Sequence, residues 1–487
     1  MPSQQMINTT SSSWRKFTDR LRPQPIWILV SISFLILFLC SSLKHGFFQS
    51  TTWDLGIFDQ AVYLISQGQP PISSFLGYHI LGDHAALILY PLALLYWIHP
   101  NVHWLLLVQA LALALGAYPI FRLTLLAGLT SAQGMVAAVV YILYPVIFNI
   151  NLFDFHPDVI ALPALIWMIL AARSRQIGQF CIALVITLSC KAVLSLTTAA
   201  MGLWLIFFEK RKWYGIIALV GSIAWFIIAT QVIIPTVGSE AASITRHLSR
   251  YGALGNSFSD ILLNIFLKPQ IVLGMIFSYR TFRYLVFLFL PIIYIFTNRN
   301  PRFLLQFIPA LPVLMMNILS REEAQRSMVH QYSLPILPFM MLAVISYLET
   351  TPELPKFLKH KNYTLTLCWA VLAFLIFSRI YFFFGSCYQT ADTLQANREA
   401  ISRIQTKENV LTTAEIAPHL TQRPQITFTQ SGVNPVFRRF RYVLLDTSHP
   451  GWMSDEQFAM KLVDRLKKNQ RFRLDYQKDG VYLFIRN

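Results

Sequence analysis

Three short stretches carry the residues with the most evident chemistry. "TTWDLGIFDQAVYLISQGQP", residues 51–70, sets Asp54 and Asp59 among Trp, Leu, Ile, Phe and Tyr. An ionisable residue in so apolar a setting is costly and points to function. Five positions apart, the two carboxylates would lie about 140° apart on one helix and are not expected to make a paired site unless the helix begins between them. Asp54 could cap the helix that follows. Alternatively, one of the two could act as a general base at the membrane–water boundary. "LGDHAAL" puts Asp83 beside His84, just before the apolar run 85–99. Asp83 could cap that run, or the pair could hold a metal or orient a phosphate. "NLFDFHPDV" alternates Asp154, His156 and Asp158, and Pro157 favours extension at His156. Alternate residues of an extended chain face the same way. Three hard donors on one side could bind a divalent cation or clasp a phosphate–metal group. The plainer alternative is that Asp158 caps the next helix and the other two are solvated.

Cationic counterparts are present. Lys191 sits alone between two apolar runs, where it would either snorkel to the interface or pair with a phosphate. Arg246, His247 and Arg250 in "TRHLSR", with Arg321, Arg326 and His330 in "SREEAQRSMVHQY", suit contact with an anionic headgroup. Charged loops of this kind are more often only solvated. No Walker-type loop, dinucleotide fingerprint, HExxH or GxSxG occurs, so coupling to ATP by this chain is not expected.

The elements that must position these groups are membrane helices. Of 487 residues, 55% are hydrophobic and 13% charged, against about 25% charged in soluble proteins. Apolar runs of about 20 residues recur along the chain. The net charge of +17 does not indicate nucleic acid. The basic residues cluster in short connections between apolar runs, where membrane topology predicts them. No small-residue cleavage site follows the first run, so it reads as a retained anchor. The five cysteines show no pairing pattern or metal-type spacing.

Arg15, Lys16, Arg20 and Arg22 precede the first span, which assigns residues 1–25 to the cytoplasm. Hydropathy and the basic loops then give about eleven spans, beginning near residues 26, 103, 132, 159, 177, 192, 213, 283, 302, 333 and 363. The run 85–99 covers only about 22 Å of a roughly 30 Å core and is expected to lie in the interface or re-enter. It therefore belongs to a large first outer loop, 44–102. Residues 235–282 read as a second long outer loop. Orientation rests on the basic residues alone, yet the acids and histidines gather on the opposite face. Residues 26–385 thus form a polytopic helical domain. Residues 386–487 form a small extracytoplasmic α/β domain, with strands at "NVLTT", "QITFT" and "RYVLLD". "SDEQFAMKLVDRLKK" begins with a Ser454/Gln457 capping-box pair. A hairpin follows, turning at Asp479-Gly480.

"WDLGIFDQAVYLISQGQP", "LGDHAALILYPLALLY", "VQALALALGAYPIFRL" and "YPVIFNINLFDFHPDVIALP" resemble an uncharacterised family of bacterial multi-pass membrane proteins related to the GT-C glycosyltransferases. The resemblance implies a GT-C-like fold with membrane-lying helices in the first outer loop and an extracytoplasmic C-terminal domain. It also implies transfer of a sugar from a polyprenyl-phosphate donor to an acceptor at the outer face. An acid of the first loop, Asp54 or failing that Asp59, would activate the acceptor. The family pattern leads one to expect acids directly after the lysine of "SCKAVLSL", where this chain has Ala192 and Val193. A transporter or flippase, or a non-catalytic scaffold, is the alternative reading. Against transport, the acids and bases lie in outer connections rather than within spans.

Overall fold

In lipid every backbone N–H and C=O must be satisfied within its own segment, so the long apolar runs become helices. The computed structural model describes residues 25–238, 247–298, 300–350 and 356–487. The N-terminal basic cluster and Arg246 lie outside the described residues. Among the described residues, eight helices are long and apolar enough to cross a membrane, beginning with Pro25–Gly46, or nine if one bent pair counts as a single span. Asp158–Arg173, Ile177–Cys190 and Leu194–Phe207 are shorter apolar helices of 16, 14 and 14 residues. Their helical length, at 1.5 Å per residue, is about 21–24 Å.

The C-terminal domain is a five-stranded sheet of β1 (Val410–Thr412), β2 (Ile426–Phe428), β3 (Tyr442–Asp446), β4 (Phe472–Lys478) and β5 (Val481–Arg486), in the order β2-β1-β3-β5-β4. β1 runs parallel to β2 and β3, while β5 is antiparallel to β3 and β4. The β4–β5 turn is Asp479-Gly480, both at positive φ (48° and 78°), as a tight two-residue hairpin requires. Helix Glu456–Lys467 is capped by Asp455, which accepts from the Phe458 N–H at 2.8 Å, not by Ser454. Both residues suit the position, and a carboxylate also opposes the helix dipole.

One face of this sheet packs on the first outer loop. Phe48, Trp53 and Phe75 join its apolar cluster. Gln60 Nε2 donates to the Arg423 carbonyl at 3.2 Å, and Ser74 Oγ donates to that of Ile426 at 2.8 Å. The loop and the domain therefore share one side of the membrane. The chain between them must cross an even number of times. His103–Leu126, Ser131–Phe153, the three short helices, Lys212–Val237, Tyr279–Thr297, Pro301–Leu319, Gln331–Glu349 and Tyr363–Gln389 satisfy that condition. With the three short helices counted as crossings, the bent pair Phe258–Leu267 and Pro269–Ile276, with an 87° break, fits a re-entrant loop rather than a further span. It adds two apolar helices to the long outer loop expected at 235–282. Pro269 lacks an N–H and restricts Lys268 before it, which breaks the apolar run in two.

Helix Leu89–Ile98 spans only 10 residues, leaves Trp97 68% and Ile98 72% exposed, and packs on helix Ile57–Ser66. It is too short to cross, as the length of its apolar run implies. Leu194–Phe207 packs closely against Lys212–Ile228, where Gly202 and Gly215 let the backbones meet. A Cβ on Gly215 would stand 2.5 Å from the Gly202 carbonyl oxygen, whereas one on Gly178 would meet nothing within 4 Å. Gly215→Ala is expected to lower thermal stability by about 1–3 kcal/mol through overpacking, with Gly178→Ala near neutral. Equal melting shifts for both variants in detergent would contradict this packing.

Candidate active site

The first outer loop starts with a π-helical turn, Thr52–Gly56, which runs into helix Ile57–Ser66. Asp54 sits in that turn and caps neither element. One carboxylate oxygen accepts from Thr51 Oγ1 at 2.9 Å, and the other lies 3.0 Å from His156 Nε2. The opposite ring nitrogen, His156 Nδ1, lies 3.2 Å from the Asp154 carbonyl. A carbonyl can only accept, so Nδ1 carries a proton. Nε2 then faces the Asp54 carboxylate. Burial pushes the Asp54 carboxyl up, but the charge and hydrogen bond of His156, with Thr51 and His330, bring it below the usual range. Asp54 keeps 21% of its side chain exposed, towards the cavity.

That cavity, about 280 Å³, is lined by Trp53, Asp54, Ile57, Phe58, Asp83, His84, His156, His247, Arg250, Gln331 and Tyr332. Five separate stretches of sequence thus meet in one place. Asp83 and His84 come from the turn Leu81–His84, which Ala85 ends with φ 52°. Arg250 lies over the Tyr332 ring at 5.5 Å and is the only Lys or Arg among these lining residues. His84 Nε2 stands 3.1 Å from Asp83 Oδ2, and His247 Nε2 stands 3.4 Å from Oδ1. Among the described residues, Asp83, His84 and His247 are the one group of three metal-type donors whose ligand atoms all lie within 4.8 Å of one another.

The alternation Asp154, His156, Asp158 does not converge on a common point. Helix Pro145–Phe153 ends at Asp154, with φ 100° there, and helix Asp158–Arg173 begins four residues later. The expected extended segment is therefore too short to present one face. Asp154 binds Lys44 Nζ at 2.8 Å and the Thr51 N–H at 2.7 Å. His156 goes to Asp54. Asp158 pairs with Lys191 at 2.9 Å, both nearly buried. Lys191 consequently neither snorkels nor lines the cavity. The following Ala192 packs with Ala85, Ala229 and Ile234, and its N–H donates to the His84 carbonyl at 3.0 Å. Arg326 spends its guanidinium on the Ile318 and Ser320 carbonyls. His330 packs edge-on to Phe153 at 4.3 Å, and Phe153 stacks on His156. Burial pushes His330 down to about 4.

Asp59 belongs to a different place. It is 1% exposed and accepts hydrogen bonds from Tyr96 and Thr421 hydroxyls. It faces a second cavity of about 200 Å³, shared with His45, His103 and His419. The His45 and His419 rings stack at 3.9 Å. Lys44 was missed by sequence reasoning, although it is a cation at the outer end of the first span, against the general charge asymmetry. His247 and Arg250 stand in the basic stretch that the sequence already marks, beside Arg246.

A family described as "Predicted membrane protein (DUF2079)" matches residues 44–483. The chain belongs to it. No curated protein matches. Among solved structures the chain is similar to ArnT from Cupriavidus metallidurans bound to undecaprenyl phosphate, with TM-score 0.57, 10% identity, and coverage of 94% of this chain and 97% of that one. The apo state of the same protein gives TM-score 0.50 and 9% identity, covering 93% and 98%. The expected relation to the GT-C glycosyltransferases is thereby supported at the level of fold.

Burial raises the Asp59 carboxyl to about 6, despite hydrogen bonds from Thr421, Tyr96 and Gln422 that lower it. Between the ordinary 3.8 and about 6 the folded chain binds more protons than the unfolded one. Stability therefore falls as pH rises through that window. Asp59→Asn removes this dependence. Its melting temperature relative to wild type should rise from pH 5 to pH 8, by the equivalent of about 1.4 kcal/mol. A difference that is constant over that range would exclude a proton-retaining Asp59.

Proposed function

We propose that this protein is a membrane glycosyltransferase that transfers a sugar from a polyprenyl-phosphate donor to an acceptor hydroxyl. The reaction takes place on the face that carries the first outer loop and the C-terminal domain. The observation that carries this reading is the Asp54–His156 pair, opening into a cavity that also holds Arg250. The fold supports it, since ArnT was solved with undecaprenyl phosphate bound. In the proposed step the acceptor oxygen attacks the anomeric carbon as Asp54 takes its proton. The bond from that carbon to the phosphate oxygen breaks, and polyprenyl phosphate leaves with the electron pair. A single displacement of this kind inverts the anomeric centre. His156 orients Asp54, and Arg250 opposes the charge that grows on the leaving phosphate.

With wild-type protein in lipid, labelled polyprenyl-phosphate hexose should release polyprenyl phosphate. Asp54→Asn should reduce release by about 10²–10⁴-fold, the range for a lost general base, with an unchanged melting curve. Equal release by both proteins would remove Asp54 from this role. No release from wild type with any of several sugars and acceptors would argue against the transferase.

The basic residues assign the N-terminus to the cytoplasm and the C-terminal domain to the extracytoplasmic side. Single cysteines at Arg302 and Gln457, both exposed, in a background without native cysteines, should label from opposite sides of the membrane. Labelling from one side would overturn this topology.

A further inference from the structure

We propose that Asp83, His84 and His247 form a binding site for a divalent transition-metal ion of the zinc type, with an open coordination position towards the cavity. Each oxygen of the Asp83 carboxylate is faced by one imidazole Nε2, at 3.1 Å for His84 and 3.4 Å for His247. Tetrahedral zinc with bonds of about 2.0–2.2 Å sets neighbouring ligand atoms roughly 3.3–3.6 Å apart. Both separations are close to that spacing, and all three donors lie within 4.8 Å of one another. Two imidazoles and one carboxylate make the mixed donor set that selects such a metal over magnesium or calcium, which prefer oxygen alone.

The surroundings hold these donors in position. Asp83 is 7% exposed, and Tyr78 Oη donates to its Oδ1 at 3.2 Å, the kind of outer contact that orients a ligating carboxylate. The His84 and His247 rings stack at 4.9 Å and 29°, and the Nε2 of each faces the Asp83 carboxylate. The turn that carries Asp83 and His84 is wedged against the end of helix Lys212–Val237. A Cβ on Gly82 would fall 2.5 Å from the Gly238 Cα. A catalytic-type zinc site keeps three protein ligands and one open position. All three residues line the cavity that Asp54 lines, so the open position faces it. On the lipid-phosphate reading given above, on which this part rests, a phosphate oxygen of the donor fills that position.

The binding test does not require turnover. Full-length protein with its affinity tag removed is stripped with chelator and titrated with Zn2+, and metal content is measured by mass spectrometry. Wild type should hold about one ion per chain. Asp83→Asn and His247→Gln should each weaken binding at least tenfold, within the usual range for a disturbed site. His99→Gln, at an exposed histidine outside the cavity, should leave binding unchanged. Wild type that retains no ion, or Asp83 and His247 variants that bind as wild type does, would overturn the site. Because His247→Gln preserves size and polarity, a normal melting curve separates lost ligation from lost folding. Co2+-loaded protein is then mixed with polyprenyl phosphate carrying no sugar. A change in the visible absorption of the cobalt supports phosphate ligation. An unchanged spectrum overturns the phosphate role and leaves the metal site standing.

Discussion

The site depends on the buried carboxylate of Asp154. Its side chain joins the end of the first span, through Lys44, to the start of the outer loop, through the Thr51 N–H. Its carbonyl receives His156 Nδ1, which fixes the ring that holds Asp54. One residue thus sets the relative position of three segments that the sequence separates widely. Asp154 does so at φ 100°, a conformation that costs a non-glycine residue about 1–3 kcal/mol. Such strain persists only where surrounding contacts over-determine it, and here three hydrogen bonds do. A buried ion pair adds little net stability, but removing one partner strands the other charge at a cost of about 3–5 kcal/mol. The Lys44–Asp154 pair therefore fixes position more than it adds stability.

The same rule governs the other buried charges outside the cavity. Lys191 is matched by Asp158, and Arg173 by Glu209 at 2.8 Å on the opposite face. Arg326 is consumed by backbone carbonyls. These cations are already committed within the protein. Arg250 is different, since it contacts a ring face and lines the cavity. A cation that only stacks on an aromatic ring keeps its hydrogen-bond donors for an anion that arrives later. That distinction separates the cations that hold the fold from the one suited to a phosphate.

The fold class was legible from the sequence because its signal is local. Apolar run length marks spans, loop charge marks faces, and Asp479-Gly480 marks a hairpin. The site was legible only in pieces. Asp54 and His156 each stood out by residue type, but they are 102 positions apart, and no periodicity reports a contact of that range. Asp54 and Asp59 serve different places, but a separation of about 140° assumes one helix, and Asp54 lies in the π turn before it. What the sequence could not show is that Asp59 would be covered by the C-terminal domain through Thr421. The alternation at Asp154–Asp158 suggested one shared ligand face, because strand geometry was applied to a four-residue gap between two helices. Helix ends re-aim side chains over such short distances, and Lys44 and Lys191 supplied competing partners.

The two outer-loop aspartates also explain how the C-terminal domain is coupled to the site. Helix Ile57–Ser66 follows directly on the turn that holds Asp54, and it presents Asp59 and Gln60 to the domain. Any shift of the domain on its buried contacts at Thr421 and Arg423 would act on that short helix. The helix has no flexible linker to absorb the shift before Asp54, since the π turn continues into it without a break. The carboxylate that faces the cavity is therefore positioned from both sides, by Asp154 through His156 and by the domain through Asp59. The sheet is thus part of the geometry of the site.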